Sequence, residues 1–300
     1  MVYKYILKVL PQGQYPTIVI DERRFLELKS SNEILTEALA IEEKYELIIR
    51  SFLDLEKELI NLSVTSMVKI NHEYYEFFEE RLKLNLRMMT LLTTVRLYID
   101  SINSHVVGCV PGKTLIKDRV KKFFNIEYDK NVEYQFMEAL RNFVTHRNTP
   151  VHLISTRLKW ITKEDRKLEH SAYIFSKKEF LNKSFKKKVL NLIPEEIDLL
   201  AYTRVYIESI SLIQCQVREL ISEKIVEARS SLELAINEYK KKFKEQSYPL
   251  HAYKFEDDKI IDEVLFYLEW DNVRIRLEKY NPMLKNLSKS YVTGQAQMPS

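Results

Sequence analysis

Apolar residues recur at helical spacing along most of the chain. Ile34, Leu35, Leu39, Ile41, Tyr45, Ile48, Ile49, Phe52, Leu55 and Leu59 fall three or four positions apart, the repeat of one helix face. Ser30 followed by Glu33 reads as a capping box in front of them, so a helix is predicted from Ser30 to about Leu62, after a brief helical turn opened by Asp21. A second long helix is predicted from about Asn71 to His105, ended by Gly108, Pro111 and Gly112. A basic helix follows over about Lys113 to Phe124, and a fourth over about Lys130 to Arg147, stopped by Pro150. Helix resumes near Lys177. Pro194-Glu195-Glu196 then starts the longest helix, predicted to reach Phe243, and a last one covers about Asp258 to Lys279.

Two stretches break this period. Tyr3 to Leu7 and Thr17 to Ile20 are β-branched or aromatic, with Pro11 and Gly13 between them, and predict a short hairpin. After Pro150, His152, Ile154, Thr156, Leu158 and Trp160 alternate, and Tyr173-Ile174-Phe175 favours strand, with a polar connection from Thr162 to Leu168. This second hairpin is expected to join the first in one small sheet. The fold class is therefore mainly α, a long-helix bundle with a small β-hairpin or sheet. Five segments are expected: a hairpin and short helix at 1–29, a helical bundle at 30–150, a hairpin insertion at 151–176, long C-terminal helices at 177–290 and a disordered tail at 291–300. The stripe Ile197, Leu200, Ile207, Ile210, Ile213, Val217, Leu220, Ile221, Ala228, Leu232 needs a partner, which is either the earlier helices or another subunit.

Composition sharpens this picture. At 45% hydrophobic and 30% charged over 300 residues, the chain can bury a core and is not a disordered protein. Only 4 glycines and 8 prolines occur, too few for folds that spend glycine on turns or phosphate loops. Cys109 and Cys215 form no C-x-x-C pair, so both are expected as reduced, buried hydrophobes, with no metal and no cofactor. The first residues, MVYKYILKVLPQG, lack the apolar core of a signal peptide. The most apolar helical stretch, Leu86 to Val110, is broken by Arg87, Arg96 and Asp100. No membrane span and a cytoplasmic location are therefore expected.

A net charge of +4 is mild, but lysines cluster at Lys121-Lys122, at Lys183 with Lys186-Lys187-Lys188, and at Lys240-Lys241-Lys242 with Lys244. Such runs are either solvated helix faces or contacts to phosphates. Gly108-Cys109-Val110-Pro111-Gly112-Lys113-Thr114 ends like a phosphate-binding loop. It has three residues between its glycines where that loop needs four, and it follows a predicted helix rather than a strand. Tyr74-Tyr75 and Phe77-Phe78 read as core or interface packing. His72, His105, His170 and His251 stand alone.

The densest chemistry lies in Glu138-Ala-Leu-Arg141-Asn142-Phe-Val-Thr-His146-Arg147-Asn-Thr-Pro150-Val-His152. Each arginine precedes an asparagine, and each has a histidine five residues on. Histidine titrates near neutrality and can take the proton of a ribose 2′-hydroxyl. A guanidinium presents planar donors to phosphorane oxygens as charge builds. Asn142 is placed to orient the phosphate or the imidazole. The second pair, Arg147 and His152, spans Pro150 and cannot lie on one helix, which leaves it an auxiliary position. The competing structural reading pairs Arg141 with Glu138 and sets His146 at a helix end where the dipole favours it. Positions five apart lie about 140° apart around a helix. Arg141 and His146 thus need a frayed helix end, or two copies of the helix across a two-fold axis.

Arg141-Asn142-x-x-x-His146, late in a helix among long helices, resembles the R-x(4–6)-H motif of the HEPN superfamily. The resemblance implies a helical bundle that dimerises through the motif-bearing surface. It also implies a metal-independent endoribonuclease of toxin, abortive-infection or other antiphage defence systems. It places Arg141 and His146 in the catalytic positions and Asn142 in the polar auxiliary one. RNA is the implied substrate, bound with the help of Lys183, Lys186, Lys187 and Lys188, and a regulatory or antitoxin protein is a further partner. A second function, a non-catalytic helical sensor or adaptor, needs only the amphipathic helices.

Overall fold

The computed structural model describes residues 3–10, 15–69, 73–110, 115–146, 149–160, 167–177, 185–243 and 249–290, with the backbone alone for 153–160 and 167–174. In chain order the elements are β1 (Tyr3–Lys8), β2 (Ile18–Ile20), α1 (Glu22–Val68), α2 (Tyr74–Cys109), α3 (Ile116–Lys130), α4 (Val132–His146), β3 (Leu153–Trp160), β4 (Lys167–Ser176), α5 (Lys187–Leu190), β5 (Glu196–Asp198), α6 (Leu199–Phe243), β6 (Leu250–Glu256), β7 (Lys259–Phe266) and α7 (Glu269–Tyr280). The fold is mainly helical, as the spacing predicts, with a minor antiparallel β component.

Several boundaries differ from the sequence-based expectation, each for a local reason. Ser30 is not a cap. Asp21 takes that role, its Oδ1 accepting the Arg24 backbone N–H at 2.7 Å, and the buried stripe already begins with Phe25 and Leu28. Gly108 does not end α2 either, because the helix continues to Cys109. The Glu37 side chain crosses Gly108 so closely that a Cβ there would lie 2.6 Å from Glu37 Cγ. Glu37 is held over it by His105, whose Nδ1 lies 2.5 Å from Oε2. Of the stretch 108–114 that imitates a phosphate loop, residues 111–114 lie outside the described residues, as does the tail expected to be disordered.

The largest correction concerns the C-terminal third. Residues 250–266 form the hairpin β6–β7, not the start of the last helix. Asp257 and Asp258 both have positive φ, 44° and 68°, and connect Glu256 to Lys259 as a two-residue turn. The two hairpins foreseen from sequence do not share a sheet. The N-terminal strands join this hairpin in the order β2-β1-β6-β7, while β3, β4 and β5 make a separate sheet. The helix expected to resume near Lys177 falls mostly on residues 178–184, which lie outside the described residues, and α6 starts at Leu199 because Glu196–Asp198 pairs with β4.

The chain divides into two compact units, each assembled from discontinuous segments. In the first (residues 1–44, 101–120 and 216–281), one face of the four-stranded sheet packs on helix. Tyr5, Leu7, Ile18, Leu250, Ala252, Val264 and Phe266 share a core with Phe25, Leu28, Leu35, Ala228, Leu232 and Tyr239. Buried ion pairs lock its helices: Arg218 clasps Glu42 with two bonds of 2.8 and 2.7 Å, and Asp271 holds both Arg274 and Arg229. Cys109 is buried here, and burial pushes its thiol up to about 12, so it stays a protonated hydrophobe. Cys215 is only half-buried.

The second unit (residues 45–100, 121–215 and 282–300) contains α4 and the three-stranded sheet. Arg204 clasps Glu56 at 2.7 and 2.8 Å, and the Tyr98 hydroxyl donates to Gln214 at 2.7 Å. The stripe along α6 is covered by the chain itself. Ile207, Ile210, Ile213, Val217 and Leu232 are fully buried, and Ile197, Ile221 and Ala228 almost so. That stripe therefore gives no argument for a second subunit. Of the two readings for the aromatic run at the start of α2, core packing does not hold, since Tyr74 is 84% and Tyr75 68% exposed. No described helix is long and apolar enough to cross a membrane.

Candidate functional site

α4 is amphipathic in a way that fixes where its polar groups stand. Phe136, Met137, Leu140 and Phe143 form its buried stripe, while Asn142, Thr145 and His146 are exposed. Asn142 and His146 are one turn apart and share the exposed face. Arg141 belongs to the adjoining edge, with Tyr134, Glu138 and Thr145 at helical spacing. The helix stays regular to His146, its last residue. A single copy of the helix therefore turns Arg141 and His146 to different sides.

Arg141 is drawn toward the interior. Its side chain is only 15% exposed. Its Nη2 donates to Glu138 Oε2 at 3.3 Å, and its Nε is buried with no hydrogen-bond acceptor. The other oxygen of Glu138 accepts the Tyr206 hydroxyl at 2.5 Å. Tyr206 is fully buried, and burial followed by the Glu138 charge holds its hydroxyl well above the ordinary phenol range. Burial acts likewise on Tyr134. Both phenols stay protonated, so Tyr206 is a permanent donor to Glu138. The pairing of Arg141 with Glu138 is the one the structural reading of the sequence anticipates.

The network continues toward the lysines. Tyr206 packs on Tyr134 with ring centroids 5.0 Å apart, and Tyr134 meets Tyr128 edge-on at 6.3 Å. Lys186 Nζ donates to the Tyr128 hydroxyl at 2.6 Å and lies 5.2 Å from that ring's centroid. Lys186 and Arg141 thus stand at the two ends of one stack of tyrosines. A second tie runs through apolar rings. Phe185, the residue before the lysine run, lies 5.7 Å from Phe143 and 5.8 Å from Phe136 of α4. Lys186, just before α5, and Lys187 and Lys188 in its first turn are exposed, and α5 packs against α4. Arg147 and Lys183 lie outside the described residues.

The chain leaving α4 is pinned by a residue that sequence reading misses. Asn85, buried in α2, accepts the Val151 N–H at 2.7 Å and donates to the Val151 carbonyl at 3.1 Å. This reciprocal pair imitates a strand neighbour and fixes the exit from Pro150, with half-buried His152 next in line. Asn85→Ala would leave both polar groups of a buried peptide unpaired, at about 1–3 kcal/mol. The expected result is a lower urea midpoint with an unchanged slope, and an unchanged midpoint would mean that the clasp is not needed.

Tyr134, Glu138 and Arg141 could have been read as one face of a helix from spacing alone. Tyr206, Phe185 and Asn85 could not, because they arrive from other elements with no local pattern. Among the described residues, no three His, Cys, Asp or Glu side chains come together as ligands for a cation. Comparisons with protein-family models, with curated proteins and with solved structures find no match.

Proposed function

We propose that the chain is a HEPN-like endoribonuclease that cleaves RNA by attack of the substrate's own 2′-hydroxyl, in a bacterial toxin or antiphage defence system. The observation that carries the reading is the convergence on α4. An exposed Asn142 and His146 and an under-bonded Arg141 stand on this one helix, and the exposed Lys186, Lys187 and Lys188 lie at α5, which packs against it. Lys186, Lys187 and Lys188 attract the phosphate backbone, His146 takes the 2′-proton, and Arg141 meets the charge that builds on the phosphorane. Because the nucleophile belongs to the RNA, no metal-activated water is required.

Since Arg141 and His146 diverge on one helix, the reading calls for a homodimer in which one protomer's His146 works with its partner's Arg141. The decisive experiment incubates purified protein with single-stranded RNA in EDTA. Products ending in 2′,3′-cyclic phosphate are expected, and DNA of the same sequence should stay intact. Equal cleavage of DNA would overturn the mechanism.

A second reading is a non-catalytic adaptor, and the exposed Met67, Val68, Tyr74 and Tyr75 favour it, since surface apolar groups of this size mark protein contacts. Overexpression in a bacterial host separates the two. A ribonuclease is toxic only with Arg141 and His146 intact, whereas an adaptor is indifferent to both.

A further inference from the structure

Arg141 carries five N–H donors, yet among the described residues its side chain makes one hydrogen bond, the 3.3 Å contact with Glu138, while Nε is buried without an acceptor. A guanidinium removed from water pays for every donor it leaves unmade. This inward position is therefore a weakly held one. Glu138 is held much better. Tyr206 grips its Oε1 at 2.5 Å, and Tyr206 is itself fixed by complete burial and by the ring of Tyr134. If Arg141 departs, Glu138 keeps a strong donor and the tyrosine stack need not move. The arrangement is asymmetric: a fixed carboxylate and a detachable arginine.

We propose that Glu138 is a positioning residue that stores the Arg141 guanidinium on the inner edge of α4 and yields it to a phosphodiester. This rests on the ribonuclease reading for the identity of the anion, but not for the latch itself. A phosphodiester presents two acceptor oxygens, enough to take Nε and one Nη together, so the arginine gains what the stored position denies it. Glu138 also gives the site a discriminating element, because a ligand must outbid a carboxylate to recruit Arg141. Single neutral hydrogen-bond acceptors fail to do so, and a polyanion positioned by Lys186, Lys187 and Lys188 succeeds. Tyr206 sets the strength of the latch by occupying one of the two carboxylate oxygens. Without it, both oxygens are free to turn to Arg141.

The test reads the accessibility of Arg141 directly. Full-length protein is treated with phenylglyoxal, and the modification rate of the peptide carrying Arg141 is followed by mass spectrometry, with the exposed Arg50 as the internal reference. Glu138→Gln keeps the shape and an acceptor for Tyr206 but removes the charge. It is expected to speed Arg141 modification about tenfold, the weight of one charge-assisted hydrogen bond at a partly exposed site. Tyr206→Phe is expected to slow it, because Glu138 then closes on Arg141 with both oxygens. Opposite directions for the two variants cannot come from general loosening of the fold, which would speed both. Equal rates in wild type and Glu138→Gln, or acceleration in both variants, overturns the latch.

A single-stranded RNA oligonucleotide is then added as protectant. Protection of Arg141, with a lower KM for RNA in Glu138→Gln, supports the latch and the ribonuclease reading together. Acceleration by Glu138→Gln with no protection by RNA keeps the latch and removes RNA as its ligand. RNA cleavage with no change in Arg141 reactivity across the variants keeps the enzyme and removes the latch.

Discussion

Replacing His146 by alanine is expected to slow RNA cleavage by about 10²–10⁴-fold, the usual weight of a positioned acid–base group, and Arg141→Ala should cost a similar factor. His146 is the exposed last residue of α4, so its removal disturbs no packing and the loss should fall on the chemical step rather than on stability. The arrangement of the helix adds a sharper expectation. With Arg141 and His146 turned to different sides, each active site in a dimer would combine residues from two protomers. Two inactive proteins, His146→Ala and Arg141→Ala, should then regain activity on mixing. About half of the randomly paired dimers would hold one chain of each kind, and each of those would have one complete site. Recovery should therefore approach about a quarter of the wild-type rate. Mixed samples that stay inactive after subunit exchange would rule out the shared site. Full activity in both single variants would make the resemblance a coincidence of spacing. His152→Ala should matter less, since His152 follows the pinned Val151 and lies beyond the helix.

The largest expected effect on stability lies in the first unit, at Asp271. This carboxylate is completely buried. It accepts Arg274 Nε at 2.6 Å and Arg274 Nη2 at 3.2 Å, and it also holds Arg229. Asp271→Ala would leave the buried Arg274 guanidinium without its main counter-charge. Removing one partner of such a pair costs about 3–5 kcal/mol, and at roughly 2–4 °C per kcal/mol for chains of this order the melting temperature should fall by about 10 °C. The loss is expected to come from the stranded charge rather than from missing attraction. The double variant Asp271→Leu with Arg274→Met should accordingly recover much of it. A double variant as unstable as Asp271→Ala would show instead that the ion pair carries net stability of its own. Arg229 softens the effect, because it keeps Glu233 at 2.8 Å and Asn272 at 3.0 Å.

The helices were legible because each buries one stripe, and a stripe has a period that survives in the sequence. α4 shows this best, with its apolar positions, the stop at Pro150 and the polar residues between them all visible in advance. The hairpin β6–β7 was hidden because its turn is Asp257-Asp258, without the glycine that usually marks a two-residue turn. An aspartate before an apolar run is also a common helix start, and Asp258 was open to that reading. The capping box at Ser30 failed for a related reason. A local cap signal is silent when the stripe has already begun upstream, here at Phe25. At the candidate site, the motif residues and the pairing of Arg141 with Glu138 were foreseeable from spacing on one helix. The tyrosine stack was not, since it joins Tyr128, Tyr134 and Tyr206 from three helices and only the folded chain brings them together.

The sheet of the first unit has a consequence for how the protein is made. Tyr5 in β1 lies opposite Lys254 in β6, so the central strand pair joins the two far ends of the chain. At roughly 5–20 residues per second, a ribosome needs some tens of seconds between releasing β1 and delivering its partner. During that interval Tyr5, Ile6 and Leu7 present an apolar strand whose β6-facing edge has nothing to pair with, the kind of edge that recruits neighbouring chains. A message truncated before β6 would therefore yield a product prone to clump rather than a partly working protein. Completion of the first unit is tied in this way to translation of the chain through β6 and β7.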